Sequence, residues 1–125
     1  MVLEETDPGA PDPGWVRLRH TAIGVNYIDT YHRSGLYPLA LPCGIGLEAA
    51  GVIEALGEDV TGWKVGDRVA YGTGPLGAYS EAANVPADRV VAIPEGVSDE
   101  QAAALMLKGL TAWYLLRRTY PVEAG

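Results

Sequence analysis

Cysteine occurs once in the 125 residues, at Cys43, so the chain forms no internal disulfide and offers no cysteine cluster to a metal. No Lys, Arg or His flanks Cys43 to activate its thiol, and it reads as a small residue in a tight Pro-Cys-Gly turn. Long apolar runs are missing too: none approaches the roughly 18 residues that span a bilayer, and the first residues do not resemble a basic, apolar, cleavable leader. Basic residues are scarce. Against 16 Asp and Glu stand 9 Lys and Arg, a net charge of −7 that disfavours phosphate backbones and anionic membranes. Neither nucleic acid nor a membrane is expected as a partner, and a cytoplasmic protein is expected. A dinucleotide fingerprint is also lacking. Gly44 and Gly46 supply Gly-x-Gly, but Ala49 stands where the third glycine belongs, and a strand rather than a helix follows.

What is present suits one small domain. Apolar residues at 48% and charged ones at 20% are ordinary for a globular chain. A domain of this size buries roughly two-thirds of the surface its unfolded chain exposes. Met1 to Gly14 is rich in proline and acid and reads as a loop. Val16, Leu18, His20 and Ala22 then alternate with Arg17, Arg19 and Thr21, the period of a half-buried strand, with His20 expected as a structural, hydrogen-bonded histidine. The stretch from Pro42 to Ala70 predicts a glycine turn around Gly44 and Gly46, a carboxylate at Glu48 and a strand over Ala49 to Leu56. Turns at Gly57 to Thr61 and Trp63 to Gly66 lead to a second strand over Asp67 to Tyr71. After a Gly-Pro loop, period-two alternation predicts a strand over Ala78 to Val85, and Val90 to Ile93 form a short strand stopped by Pro94.

The character changes after Pro94. Ser98 and Gln101 form a capping-box pattern, Asp99 and Glu100 suit the helix dipole, and Ala102 to Leu105 are strong helix formers. Gly109 marks an expected kink or break. Beyond it Leu110, Trp113, Tyr114 and Arg117 share a helical face, Arg117 and Arg118 fit a last turn, and Pro121 stops it. The prediction is a mainly β chain, a small partly open β-barrel over 1–97 followed by a C-terminal helical segment over 98–125, α+β overall.

Chemistry concentrates between Ala22 and Pro38. Asn26, Asp29, Tyr31, Arg33 and Tyr37 bring amide, carboxylate, phenol and guanidinium groups into one compact segment, donors that suit a carbonyl oxygen or an anion. The same residues also fit a helical turn capped by Asn26 or Asp29 with its aromatics packed inward. Glu48 reads as a partly buried carboxylate bonded to turn amides, with proton transfer as the alternative. Thr111 fits a helix threonine bonding back to a carbonyl.

Four motifs carry a resemblance: Gly-Val-Asn-Tyr-Ile-Asp-x-Tyr-x-Arg-x-Gly-x-Tyr from Gly24, Gly-x-Gly-x-Glu-Ala-Ala-Gly from Gly44, Val-Gly-Asp-Arg-Val from Val65, and Leu-Lys-Gly-Leu-Thr-Ala from Leu107. Together they resemble the GroES-like catalytic domain of the medium-chain dehydrogenase/reductase superfamily, and within it the zinc-free NADPH:quinone oxidoreductases. The resemblance implies hydride transfer from NADPH to a quinone, with Asn26 and Tyr31 lining the nicotinamide and substrate cleft and Tyr37 at its wall. Thr111 would approach the nicotinamide carboxamide, while Asp29 and Arg33 would hold the loop in shape. Zinc is not expected, since the zinc-dependent relatives carry cysteine where this chain has Asn26 and histidine where it has Leu47.

The resemblance also implies that this chain has no Rossmann domain, that it is truncated at both ends, and that it is inactive alone. The parent enzyme would be a homodimer through its nucleotide domain, and this chain would not be a native dimer. Two alternatives remain: an enone or enoyl-thioester reductase, with Tyr31 or Tyr37 as proton donor, and a non-catalytic barrel module binding a partner through unpaired edges.

Overall fold

The computed structural model describes residues 1–123. Residues 124 and 125, the end of the helical segment expected over 98–125, lie outside the described residues. Five strands form one antiparallel sheet: β1 (Trp15–Gly24), β2 (Glu48–Leu56), β3 (Arg68–Tyr71), β4 (Ala82–Pro86) and β5 (Val91–Ala92). Their spatial order is β4-β1-β2-β3-β5. Two α-helices, α1 (Tyr27–Ser34) and α2 (Asp99–Tyr114), and a π-helical turn over Leu115–Thr119 complete the chain. The sheet stays open, a partial barrel followed by a helix, which is the GroES-like arrangement expected.

The period-two pattern explains how the sheet has two dry faces. On β2, Ala49 and Ala50 point to opposite sides, as do Val69 and Ala70 on β3. One face gathers Val16, Leu18, Ile53, Val69, Tyr71 and Val85 into the main core. The other is lined by small residues, Ala50 and Ala70, against which α2 lays Ala102 and Ala103. Small side chains on both sides bring the helix close to the sheet. A classical alternation would carry on along β1, but the register slips between His20 and Ala22 opposite Gly51 and Ala50. The bulged residue, Thr21, is re-aimed toward α2, where its hydroxyl donates to Asp99 Oδ2 at 2.6 Å. That bond, together with Arg68, holds the Asp99 carboxyl below its usual range despite partial burial.

The capping box of α2 forms as its sequence predicts: Gln101 N–H donates to Ser98 Oγ at 3.2 Å, and Ser98 N–H to Gln101 Oε1 at 3.0 Å. Two expectations need correction. Gly109 does not break α2, which runs unbroken to Tyr114. A mid-helix glycine costs only about 1 kcal/mol relative to alanine, too little to end a helix whose other residues from Ala102 on are mostly good helix formers. The strand expected over Ala78 to Val85 is shorter and later, Ala82–Pro86. Its first residues are held in a turn instead, because the N–H groups of Gly77 and Ala78 donate to Gly46 O and that of Tyr79 to Ile45 O. The Ser80 hydroxyl lies 2.7 Å from Gly77 O and 2.9 Å from Ala82 O and donates its single hydrogen to one of them.

Candidate functional site

β1 ends and β2 begins at one corner of the sheet, where Gly24 and Glu48 are cross-strand partners. Glu48 has no solvent exposure. A carboxylate so placed is tolerable only with a full set of donors, since an unpaired buried charge costs several kcal/mol. It has them. Oε1 accepts the Leu107 backbone N–H at 2.7 Å, and Oε2 accepts Asn26 Nδ2 at 2.6 Å and Lys108 Nζ at 3.1 Å. Lys108 Nζ donates a second bond to Asn26 Oδ1 at 2.9 Å, which closes a triangle of amide, carboxylate and ammonium. The partners correct the expectation for Glu48: they are a helix amide and two side chains, and turn amides take no part. Gly24 makes the approach possible, since a Cβ there would collide with the Ala103 carbonyl oxygen and Glu48 Oε2.

Asn26 also starts α1. Its extended backbone, φ −125° and ψ 152°, places it as the N-cap. Asn26 N–H donates to Asp29 Oδ2 at 2.9 Å, and the Tyr79 hydroxyl donates to the same oxygen at 2.9 Å. Burial, followed by the bond and charge of Asp29, pushes the Tyr79 phenol up to about 12. Asp29 Oδ1 is buried without a partner. Asp29 therefore shapes the loop, as the sequence suggests, with Tyr79 as its second contact. Arg33 is exposed and makes no ion pair or side-chain hydrogen bond among the described residues, so it does not share that role here.

Tyr31 is half-buried between two other phenols. Its ring lies 5.2 Å from that of Tyr27 at 86° and 5.2 Å from that of Tyr37 at 57°. The structure thus brings Tyr31 and Tyr37 together, and separately brings Asn26 to Glu48 and Lys108. Thr111 donates its hydroxyl to Leu107 O at 2.8 Å, the back-bonded geometry of a helix threonine, and its oxygen lone pairs remain available. It stands three residues beyond Lys108, on the same face of α2. No hydrogen bond among the described residues joins Asn26, Tyr31 and Thr111 directly.

Lys108 and Tyr79 are the site residues that sequence reasoning missed. One signal pointed to the lysine: it is the one basic residue within Asp99–Tyr114, set among alanines, leucines and methionine. Nothing in the local sequence marked Tyr79, whose partner is 50 residues away.

Elsewhere, His20 has the structural role expected. Its Nδ1 lies 2.8 Å from Ser80 O, which only accepts, so Nδ1 carries the proton and Nε2 accepts from the Tyr71 hydroxyl at 3.1 Å. Burial lowers its pKa against the opposing pull of the Ser80 carbonyl. A groove of about 1020 Å³ runs beside β1, lined in part by Glu4, Arg17, His20 and Ser80. A smaller apolar hollow of about 300 Å³ lies under α2 among Ala70, Ile93, Val97 and Met106. Asn26, Tyr31, Tyr37 and Thr111 line neither. Among the described residues no three His, Cys, Asp or Glu side chains gather as a metal-ligand set, and no helix is long and apolar enough to cross a membrane.

Residues 12–95 match the family described as the alcohol dehydrogenase GroES-like domain. The chain is 58% identical over 127 aligned residues to a quinone oxidoreductase of Pseudomonas aeruginosa, covering 99% of this chain and 39% of that protein. It is 48% identical over 131 residues to a 2-haloacrylate reductase of Burkholderia, covering 100% of this chain and 39% of that protein. The crystal structure of Escherichia coli quinone oxidoreductase complexed with NADPH superposes with a TM-score of 0.93 at 49% identity, over 96% of this chain and 37% of that one. The chain therefore spans well under half the length of these relatives.

Proposed function

The chain belongs to the alcohol dehydrogenase GroES-like domain family of the medium-chain dehydrogenase/reductase superfamily, and from that premise we propose that it is the catalytic-domain portion of an NADPH-dependent quinone oxidoreductase. The observation that carries the reading is the corner of Asn26, Glu48 and Lys108, where polar donors are fixed beside a half-exposed edge of α2. The 58% identity to a quinone oxidoreductase supports the choice of acceptor.

The residues present fit a nicotinamide. Its carboxamide needs both an acceptor and a donor. Thr111 Oγ1 has directed its own hydrogen to Leu107 O and so faces a ligand as an acceptor, while Asn26 Nδ2 has one hydrogen beyond the bond to Glu48. When bound, the nicotinamide supplies a hydride. The protein's part is orientation and exclusion of water: Asn26 and Thr111 hold the carboxamide end, Tyr31 steadies the acceptor oxygen, and Tyr37 walls the cleft. A quinone is already a strong electrophile, so no zinc is invoked to polarise it.

Turnover is proposed to depend on a nucleotide-binding domain acting with these residues, in a cytoplasmic protein whose barrel portion does not itself form a native dimer. A fluorescence titration with NADPH tests this, followed by quinone reduction with a nucleotide-binding domain supplied. Quinone turnover only with that domain is the expected result, and its absence under both conditions would sink the reading. A second reading rests on the 48% identity to the 2-haloacrylate reductase: an activated carbon–carbon double bond as acceptor, with Tyr31 or Tyr37 donating the proton. Comparing a quinone with an acrylate in the same assay separates the two.

A further inference from the structure

We propose that Lys108 is a catalytic residue of that reaction, donating its third ammonium hydrogen to the acceptor oxygen on which negative charge develops; this rests on the quinone reading above. An ammonium has three hydrogens. Two are accounted for, on Asn26 Oδ1 at 2.9 Å and Glu48 Oε2 at 3.1 Å. The third meets no acceptor among the described residues, and the side chain is 51% exposed where that of Glu48 is 0%. A tetrahedral group held at two corners has its remaining N–H direction fixed. It is therefore a preorganised donor aimed outward from a buried base, the arrangement that stabilises charge as it forms without reorganisation.

The surroundings support the same assignment. Glu48 receives three donors and offers none, so Lys108 rests on a fully engaged acceptor that holds its Nζ in place. Thr111, one helical turn further along α2, lies on the same helix face as Lys108. The site assigned to the nicotinamide carboxamide and the site assigned to the acceptor oxygen thus lie along one strip of helix. A surface lysine serving only as a counter-ion would need neither the Asn26 bond nor a direction.

The chemistry balances. The quinone gains two electrons and one hydrogen as hydride from the nicotinamide and becomes a hydroquinone anion. The Nζ–H bond of Lys108 then breaks as a phenolic O–H bond forms, and water returns a proton to the amine beside Glu48.

The test needs no cofactor. 4-Nitrophenol stands in for the hydroquinone anion and reports its own ionisation by colour, so the whole chain is titrated with it one unit below its free pKa. Wild type is expected to bind it saturably as the yellow phenolate, and Lys108→Met to bind it about tenfold more weakly, the loss of one charge-assisted hydrogen bond. Since Lys108→Met leaves Glu48 short of a partner, Lys108→Gln, which removes the charge and keeps an N–H donor while leaving Glu48 its bonds to Leu107 and Asn26, is measured beside it, with the same loss expected. With a nucleotide-binding domain supplied, Lys108→Met should lose on the order of 100-fold in kcat, with KM for NADPH unchanged. Absence of phenolate binding by wild type, or binding by the folded variants equal to wild type, overturns the proposal. Failure of wild type to reduce quinone overturns the function proposed above and leaves the phenolate result to judge Lys108 alone.

Discussion

Glu48 and Asp29 are both buried carboxylates at the same corner of the fold, 0% and 3% exposed, and both are tied to Asn26. They differ in what they receive. Glu48 takes three donors, two from α2 and one from the N-cap of α1, one of them an ammonium. Asp29 takes two neutral donors on one oxygen and leaves the other without a partner. The difference teaches that burial alone does not single out a functional acid. A carboxylate paired with a charge that reaches solvent can act on a ligand, whereas one bonded to a backbone amide and a phenol pins a loop.

Breaking the Glu48 side of this comparison should have the largest effect. Glu48→Ala orphans the Leu107 amide and the Asn26 side chain together, and about 4 kcal/mol of stability is expected to go, read from the urea midpoint of this chain. Gly24→Ala should cost about 3 kcal/mol, because the added Cβ forces α2 off Glu48. Asp29 bonds to Tyr79 away from that collision, so the phenol should still titrate near 12 in this variant.

Asp29→Asn is the complementary break, with an expected loss of about 2 kcal/mol. Its sharper readout is Tyr79, whose alkaline titration, followed by ultraviolet absorbance, should fall from about 12 by the part that the bond and charge of Asp29 supply, the larger effect of burial remaining. The sign follows from linkage: the unfolded chain releases this proton near 10.0, so wild-type stability falls as pH rises from 10.0 to about 12, with buried Tyr71 adding to the slope, and the variant should lose only the part that Asp29 supplies. The smallest effect belongs to His20, outside both carboxylate sites. Its folded pKa lies below 6.5, so the unfolded chain takes up the proton first and stability falls as pH drops below 6.5. His20→Gln should flatten that acid slope in thermal melts while leaving the Tyr79 titration unchanged.

Much of the fold was legible because its signals are local. Ser98 and Gln101 announce the start of α2 from three residues apart, and Val16, Leu18, Val69 and Val85 reveal their buried face by period two. The strand expected from Ala78 failed for a non-local reason: the carbonyls that hold Gly77 to Tyr79 in a turn belong to Ile45 and Gly46. The site divides in the same way. Asn26 or Asp29 was readable as a helix cap within a four-residue span, and the loop-holding role of Asp29 followed from the family resemblance. Lys108 was not, because its partners lie 60 and 82 residues away, and only folding α2 across the sheet corner gives one lysine in an apolar helix a carboxylate to meet.

Glu48 grips α2 through the main-chain N–H of Leu107, so the anchor does not depend on which side chain Leu107 carries. Of the twenty residues only proline, which has no such hydrogen, would release it. The helix can therefore change the side chain it carries at this position while its axial register on the sheet stays fixed, and only the neighbouring contact, from Lys108 Nζ to Glu48 Oε2, depends on side-chain identity.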